Sequence, residues 1–137
     1  MKVYFSDAFA MGASCVLLIG SDSPTLPVSY VRQAFELLRR HPVVLGPTED
    51  GGYYLVGAAA RCPQLFDDIS WSTSEVWRQT TNKLHKLNIT FATLPTWYDV
   101  DDVVDLRRLA RELRANPLAA AELQPLCVAV EQALAKV

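Results

Sequence analysis

The stretch VLLIGSDSPTLP, residues 16–27, indicates the fold class. Its first four residues form an uninterrupted apolar run that ends at Gly20, and prolines follow at positions 24 and 27. Continuous rather than alternating hydrophobicity is typical of a strand that is covered on both faces, as in a parallel sheet. Pro27 is well placed in the first turn of a following helix. The stretch therefore predicts a strand, a loop and a helix in that order.

Predicted strands and helices alternate on both sides of this stretch. The other strands are expected at residues 43–45, 53–56 and 89–94. The first two helices are expected at residues 5–11, before Gly12, and from Pro27 to His41. A third should run from a Ser72–Glu75 capping box to about Leu87. Two more are expected from Asp101 or Asp102 onwards, and after Pro117 with a break near Pro125. Alternation of this kind predicts an α/β protein with a mostly parallel sheet.

Two of the predicted helices should each turn one apolar face towards the sheet. The faces are Val28, Val31, Ala34, Phe35 and Leu38 in the helix after Pro27, and Val76, Trp77, Thr80, Leu84 and Leu87 in the helix after the capping box. Asn88 is placed to end the second of these helices.

Composition limits the class of protein. The chain has 137 residues, half of them hydrophobic, which predicts one domain over residues 1–137, with an α/β core at 1–115 and a helical extension at 116–137. A net charge of −2 argues against a nucleic-acid partner. No apolar run approaches the length of a membrane helix, and no signal peptide is evident. Cysteines 15, 62 and 127 lack paired spacing, which favours free thiols in the cytoplasm.

Asp22 is the first candidate for chemistry. It follows a predicted buried strand, where ligands enter open α/β sheets, and the small residues Ser21 and Ser23 flank it. Mg²⁺ prefers one or two carboxylates together with waters and substrate phosphates, so Asp22 is a candidate metal ligand. The alternative is that Asp22 caps the following turn through neighbouring amides.

The sequence TEDGGY, residues 48–53, is the second candidate. Paired glycines at 51 and 52 permit positive φ and let a ligand approach the backbone. The acids Glu49 and Asp50 are suited to act as a base or as hydrogen-bond acceptors for a substrate hydroxyl. An ordinary turn with solvated acids explains the same residues equally well.

A third candidate is WYDVDD, residues 97–102. Asp99 and Asp101 alternate after a strand and are suited to share a cation with Asp22, although simple helix capping also explains them. Trp71, Ser72 and Thr73 lie at the N-terminus of a predicted helix, where free amides are able to bind an anion, although capping alone also explains them.

The four motifs VLLIGSDSPTLP, GPTEDGGYYLVG, ISWSTSEV and WYDVDDVVDL occur in this order. Together they resemble bacterial glycosyltransferase-A-like proteins of unassigned function, which are related to molybdenum-cofactor and phospholactate guanylyltransferases. The resemblance runs from about Phe9 to Arg114. It implies a three-layer, Rossmann-like nucleotide-diphospho-sugar transferase fold that binds a nucleotide or nucleotide sugar with Mg²⁺ or Mn²⁺.

The resemblance also assigns roles to individual residues. Asp22 falls on the principal metal position and Asp101 on a later metal position, with Asp99 as its neighbour. Residues 49–52 match the acceptor-side loop. Ser21, Ser23 and Trp71 are expected to bind substrate on the local grounds given above, not from the resemblance. The single acid in Ser21-Asp22-Ser23 is closer to nucleotidyltransferases than to sugar transferases with Asp-x-Asp.

The N-terminal part of the family domain, with its opening strand and phosphate-binding loop, is not found in this sequence. Without it, the strand at 16–19 should have an open edge, which predicts a homodimer or another partner chain. Two functions therefore stay open: a metal-dependent nucleotidyl- or glycosyltransferase, and a non-catalytic α/β remnant or assembly module that has lost donor binding.

Overall fold

The computed structural model describes residues 1–59, 63–116 and 121–136. The chain forms two compact units, Met1–Tyr98 and Asp99–Val137. The elements of the first unit are α1 (Lys2–Ala10), β1 (Val16–Ile19), α2 (Val28–Leu38), β2 (Val43–Pro47), β3 (Tyr53–Ala58), a 3₁₀ helix (Pro63–Phe66), α3 (Val76–Lys86) and β4 (Phe91–Thr93). The second unit contains α4 (Val103–Ala115) and α5 (Gln124–Leu134). The α/β class is confirmed, whereas the prediction of one domain over residues 1–137 stays a prediction.

The four strands form one mixed sheet in the order β1-β3-β2-β4. The prediction of a mostly parallel sheet is wrong, because β3 pairs antiparallel with both β1 and β2, and only β2 and β4 are parallel. The physical reason is the link of five residues between β2 and β3, since a parallel pair needs a crossover of about a dozen residues or more. Strands β1, β2 and β4 nevertheless run in the same direction, and β3 lies between β1 and β2 in the opposite direction.

Helices of the first unit cover both faces of this sheet. On one face, α1, the 3₁₀ helix and α3 pack on a cluster that includes Phe5, Val43 and Leu45. On the other face, α2 packs on a cluster that includes Val44 and Tyr54. Consecutive residues of β2 thus alternate between the two clusters, and both sides of the strand are buried. Burial on both faces explains the continuous apolar sequences that predicted the strands.

Helix α2 lies with a different face on the sheet from the one predicted. Ala34 and Leu38 are buried, as expected, but Val28 and Phe35 are exposed. Tyr30 and Leu37 take their place against the cluster around Tyr54. The apolar face has therefore rotated towards Tyr30, Ala34, Leu37 and Leu38, which are spaced as a helix requires.

Helix α3 begins at Val76 without the predicted capping box. Glu75 pairs instead with Arg78, and the hydroxyl of Thr73 donates to the carbonyl oxygen of Ser70. The cap fails because Glu75, the acid of the proposed box, is already paired with Arg78, and because Ser72 has a φ of 60° rather than the extended backbone of an N-cap residue. Leu87, predicted to face inward, is also exposed.

The predicted ends of two helices are confirmed. Asn88 follows α3 with a φ of 54°, the left-handed conformation that ends helices. Gly12 follows α1 with a φ of 93°. A glycine tolerates this backbone conformation at low cost, and an asparagine does so better than most other residues.

In the second unit, α4 and α5 pack through a small apolar cluster formed by Leu109, Ala110, Leu113 and Val130. Asp102 caps α4 by accepting hydrogen bonds from the amides of Val104 and Asp105. The predicted break near Pro125 is confirmed, since residues 121–122 are helical and α5 starts anew at Gln124. Cys62 and Pro117 lie outside the described residues.

Among the helices that the structure describes, none combines the length and the apolar character needed to cross a membrane.

Candidate functional site at the carboxyl edge of the sheet

Three loops of the first unit leave the sheet at the same edge, because β1, β2 and β4 run in one direction. They comprise residues 20–23, 48–52 and 94–97. The amide of Gly20 donates to the carbonyl oxygen of Tyr54 over 2.8 Å, which extends the β1–β3 ladder into the first loop. The amide of Glu49 donates to the carbonyl oxygen of Trp97 over 3.2 Å, which joins the second loop to the third. This edge collects most of the polar candidates that the sequence singled out.

Asp22 lies exposed in the first loop, just beyond the end of β1. Its Oδ1 folds back over Gly20, where a Cβ would lie only 2.5 Å from that oxygen. Within the described residues its carboxylate accepts no hydrogen bond and forms no ion pair. The turn that Asp22 was expected to cap is held by the backbone instead, since the amide of Leu26 donates to the carbonyl oxygen of Ser23. The carboxylate of Asp22 is therefore accessible to a ligand from solvent.

The serines beside Asp22 differ in their environment. Ser21 is exposed, whereas Ser23 is only 7 % exposed and its hydroxyl has no hydrogen-bond partner among the described residues. A buried hydroxyl without a hydrogen-bond partner lowers the stability of the folded state. Folding alone therefore does not explain the polar side chain at this position.

The second loop is held by the side chain of Asp50. Its Oδ1 accepts a hydrogen bond of 2.5 Å from the hydroxyl of Thr48 and one of 3.0 Å from the amide of Gly52. The amide of Thr48 also donates to the carbonyl oxygen of Gly52. One oxygen of Asp50 thus fixes the shape of the loop, while Glu49 is exposed beside it.

Gly51 fixes the position of this loop against the segment before α3. Its φ is 94°, and a Cβ at this position would collide with the carbonyl oxygen of Ser74. The carbonyl oxygen of Gly51 also accepts a hydrogen bond of 2.8 Å from the amide of Trp77. The paired glycines are therefore explained in part by packing, whether or not a ligand approaches them.

Trp71 lies five residues before α3, and its amide donates to the carbonyl oxygen of Ile69. The amide of Trp71 is therefore engaged, and an anion site at the amides of Trp71, Ser72 and Thr73 stays a prediction. The indole is 40 % exposed and meets the ring of Tyr53 edge-on, with 6.3 Å between the ring centroids. A substrate-binding role for Trp71 stays a prediction, and it now depends on the ring rather than on the amide.

Burial of the two tyrosines after the glycines raises their pKa values. Burial raises the pKa of Tyr53 to about 12, and the neighbouring Thr80 hydroxyl offsets part of this rise. Burial also raises the pKa of Tyr54, and the nearby Tyr30 adds to the effect. The hydroxyl of Tyr54 donates to the carbonyl oxygen of Pro95 over 2.9 Å, so Tyr54 ties β3 to the third loop. Both phenols are neutral at physiological pH.

Thr48 is the residue of this site that sequence reasoning missed. It is 7 % exposed, and its hydroxyl orients Asp50. A threonine two residues before an aspartate at the end of a strand is the signal that would have found it, since such side chains hydrogen-bond within their own turn.

Comparison with known proteins identifies the family. Residues 1–73 match the family described as "Uncharacterized protein conserved in bacteria (DUF2064)". The match covers more than half of the chain. The chain belongs to the DUF2064 family.

A solved structure extends the similarity over most of the chain. The crystal structure of a "putative nucleotide-diphospho-sugar transferase" from Desulfovibrio desulfuricans G20 is 34 % identical in sequence and superposes with a TM-score of 0.83. The similarity covers 96 % of this chain and 60 % of the Desulfovibrio chain, so this chain spans less than two thirds of that protein's length. No curated protein matches. The expected link to the molybdenum-cofactor guanylyltransferases stays a prediction.

The DUF2064 match includes Asp22, residues 49–52 and Trp71, but ends before the acids near α4. Asp99 and Asp101 belong to the second unit and precede α4. Asp99 is half-buried, and Asp101 is exposed with its amide directed to the carboxylate of Asp105. The cap of α4 is Asp102, so capping does not account for either of them. Their predicted role as metal ligands together with Asp22 stays a prediction.

Proposed function

We propose that this DUF2064 protein is a metal-dependent transferase that uses a nucleotide or nucleotide-sugar donor. The observation that carries the proposal is the 34 % identity, in a match covering 96 % of the chain, to the protein described as a "putative nucleotide-diphospho-sugar transferase". The arrangement of the loops agrees with it, because ligands of open α/β sheets bind at the carboxyl ends of the strands.

In this proposal Asp22 holds the metal ion. Its carboxylate is exposed, lies at the carboxyl end of β1 and has no partner among the described residues. Such an oxygen ligand suits Mg²⁺ or Mn²⁺, which bind carboxylates and retain positions for phosphate oxygens. Asp99 and Asp101 are proposed as further ligands. When bound, the cation would offset the negative charge that develops on the leaving phosphate group.

The protein's own residues would bind and orient the acceptor on the second loop. Glu49 and Asp50 are the proposed acceptors of a proton from the substrate hydroxyl. Oδ1 of Asp50 is engaged by Thr48 and Gly52, which fixes the loop before substrate arrives. Preorganised groups of this kind favour a reactive geometry because less ordering is needed at the moment of reaction.

A thermal-shift screen tests the proposal. Nucleoside di- and triphosphates and nucleotide sugars are each added with Mg²⁺ or Mn²⁺, and the melting temperature is recorded. We expect at least one nucleotide to raise it in a metal-dependent manner, because a ligand that binds only the folded state stabilises that state.

Two variants make the screen specific. Asp22→Asn removes the proposed ligand charge and should abolish the shift. Asp7→Asn makes the same chemical change on the exposed surface of α1 and should leave the shift unchanged. A nucleotide shift that survives Asp22→Asn would contradict the assignment of the metal site.

A non-catalytic α/β module is the second candidate function. The observation that favours it is the structural engagement of Asp50, whose Oδ1 holds its own loop through Thr48 and Gly52. If no nucleotide stabilises the protein with either metal, this second function is the better account.

A further inference from the structure

Strand β1 forms one edge of the sheet, and its outer side is unpaired within the described residues. Natural proteins protect such edges with charges, prolines, bulges or a covering element. The sequence Val16–Ile19 contains neither a charge nor a proline, and its register with β3 shows no irregularity. The opposite edge strand, β4, has only three residues. Strand β1 is therefore the edge with the capacity to accept another strand.

The hydrogen bonds of β1 define which of its backbone groups are available. Gly20 donates its amide to Tyr54, and in an antiparallel pair the bonded residues alternate along the strand. The backbone N–H and C=O groups of Val16 and Leu18 therefore point towards β3. Leu17 and Ile19 direct the same groups to the open side.

We propose that β1 pairs antiparallel with β1 of a second copy of this chain, so that two four-stranded sheets become one. A two-fold axis through Leu18 places Leu17 of each copy opposite Ile19 of the other. These are the residues whose backbone groups point outward, so the pair satisfies them reciprocally. Leu18 lies opposite its own symmetry mate.

Charge and hydrophobicity agree with this register. Beyond the ends of the strand, this register places Ser14 opposite Asp22 and Cys15 opposite Ser21, so no two like charges face each other. Within it, every cross-strand pair is apolar, which stabilises antiparallel strands. A second copy is thus complementary to this edge in both backbone and side chains.

The helix beside β1 supplies further apolar surface. Leu18 packs on the same face of the sheet as Phe5 and Phe9 of α1, so the two-fold axis brings the two α1 helices to the same side. Val3, Tyr4 and Met11 are 67 %, 70 % and 89 % exposed. Exposed apolar groups of this size are typical of a protein interface.

Sedimentation velocity over the micromolar range tests the pairing. We expect the wild-type chain to form a dimer and Ile19→Pro to be a monomer, because proline removes an outward N–H without breaking the β1–β3 ladder. Ile19→Val keeps the N–H and should remain dimeric. A monomeric wild-type chain, or an Ile19→Pro variant that stays folded and dimeric, would overturn the proposal.

A cross-link provides a readout that does not depend on the proline variant folding. In a background with Cys15, Cys62 and Cys127 changed to serine, Leu18→Cys should oxidise to a disulfide-linked dimer, because opposed residues of a non-hydrogen-bonded pair lie about 4.5 Å apart at Cα. Thr93→Cys, exposed on β4 at the other edge, should stay reduced. Equal cross-linking of both variants, or of neither, would overturn the register.

Discussion

The hydroxyl of Thr48 donates a hydrogen bond of 2.5 Å to Oδ1 of Asp50. Thr48 is buried at the end of β2, while Asp50 is exposed in the loop that follows. The amide of Gly52 donates to the same oxygen, so Asp50 links a buried residue to the backbone on the far side of the turn. Asp50, one of the two acids proposed to accept a proton from substrate, therefore also has a structural function in this loop.

This relationship predicts different effects for two substitutions of Asp50. Asp50→Asn keeps an oxygen in the Oδ1 position and should lower the free energy of unfolding by less than about 1 kcal/mol. Asp50→Ala removes both hydrogen bonds and should lower it by about 1–3 kcal/mol, with faster hydrogen exchange at Gly52. Denaturant unfolding and amide exchange measure the two quantities. Equal destabilisation by Asn and Ala would show that the charge, not the hydrogen-bond geometry, holds the loop.

Gly51 and Gly12 form a matched pair for a second prediction. Their φ angles are 94° and 93°, but a Cβ at Gly51 meets the carbonyl oxygen of Ser74, whereas a Cβ at Gly12 meets nothing within 4 Å. Gly12→Ala should cost about 1–2 kcal/mol of backbone strain. Gly51→Ala should cost about 1–3 kcal/mol more, since the loop must also move away from Ser74. Urea unfolding of both variants measures the difference, and equal losses would contradict this packing.

Alkaline pH should destabilise the first unit through its buried tyrosines. The pKa of Tyr53 is raised from about 10 to about 12, so the unfolded chain loses its proton first. The stability that this phenol contributes is complete below about pH 10 and is lost as pH rises towards 12, by up to about 2 kcal/mol.

Tyr53→Phe tests this effect. The hydroxyl of Tyr53 forms no hydrogen bond of normal geometry among the described residues, so its removal should cost little at neutral pH. Thermal unfolding between pH 9 and about 12 should show a smaller loss of stability for the variant. The same pH dependence in both proteins would mean that Tyr53 is not the group responsible.

Acid should destabilise α4 through its cap. Hydrogen bonds from the amides of Asp105 and Val104 hold the pKa of Asp102 below its usual value. The stabilisation by this carboxylate is therefore present above about pH 4 and is lost as pH falls through the lowered pKa. Asp102→Asn retains a good capping residue that does not titrate, so its helical circular dichroism should change less in this range. Identical acid profiles would exclude the cap as the cause.

The sequence predicted the strands and most helices correctly, because each has a strong local pattern. The continuous apolar runs at 16–19 and 43–45 are buried on both faces, as such runs indicate. The sheet was predicted wrongly because burial on both faces does not determine strand direction. The five-residue link at 48–52 contained the needed information, since it is too short for a parallel crossover.

The candidate site was predictable in position but less so in the function of each side chain. Asp22 and residues 49–52 lie at the carboxyl edge because the strands before them share one direction. The hydrogen bonds of Asp50 depend on Thr48 and Gly52 together, and the engaged amide of Trp71 depends on a turn at Ile69. Local sequence patterns do not predict such contacts, because each contact forms only in the folded conformation of its loop.

The affinity for Mn²⁺ in the presence of a nucleoside diphosphate tests the proposed function most directly. Free Mn²⁺ is followed by its paramagnetic resonance signal for the wild-type chain, Asp22→Asn and Asp7→Asn. We expect nucleotide-dependent Mn²⁺ binding that Asp22→Asn weakens at least about tenfold, or about 1.4 kcal/mol, while Asp7→Asn leaves it unchanged. Mn²⁺ binding of equal strength in all three proteins would contradict a metal site at Asp22.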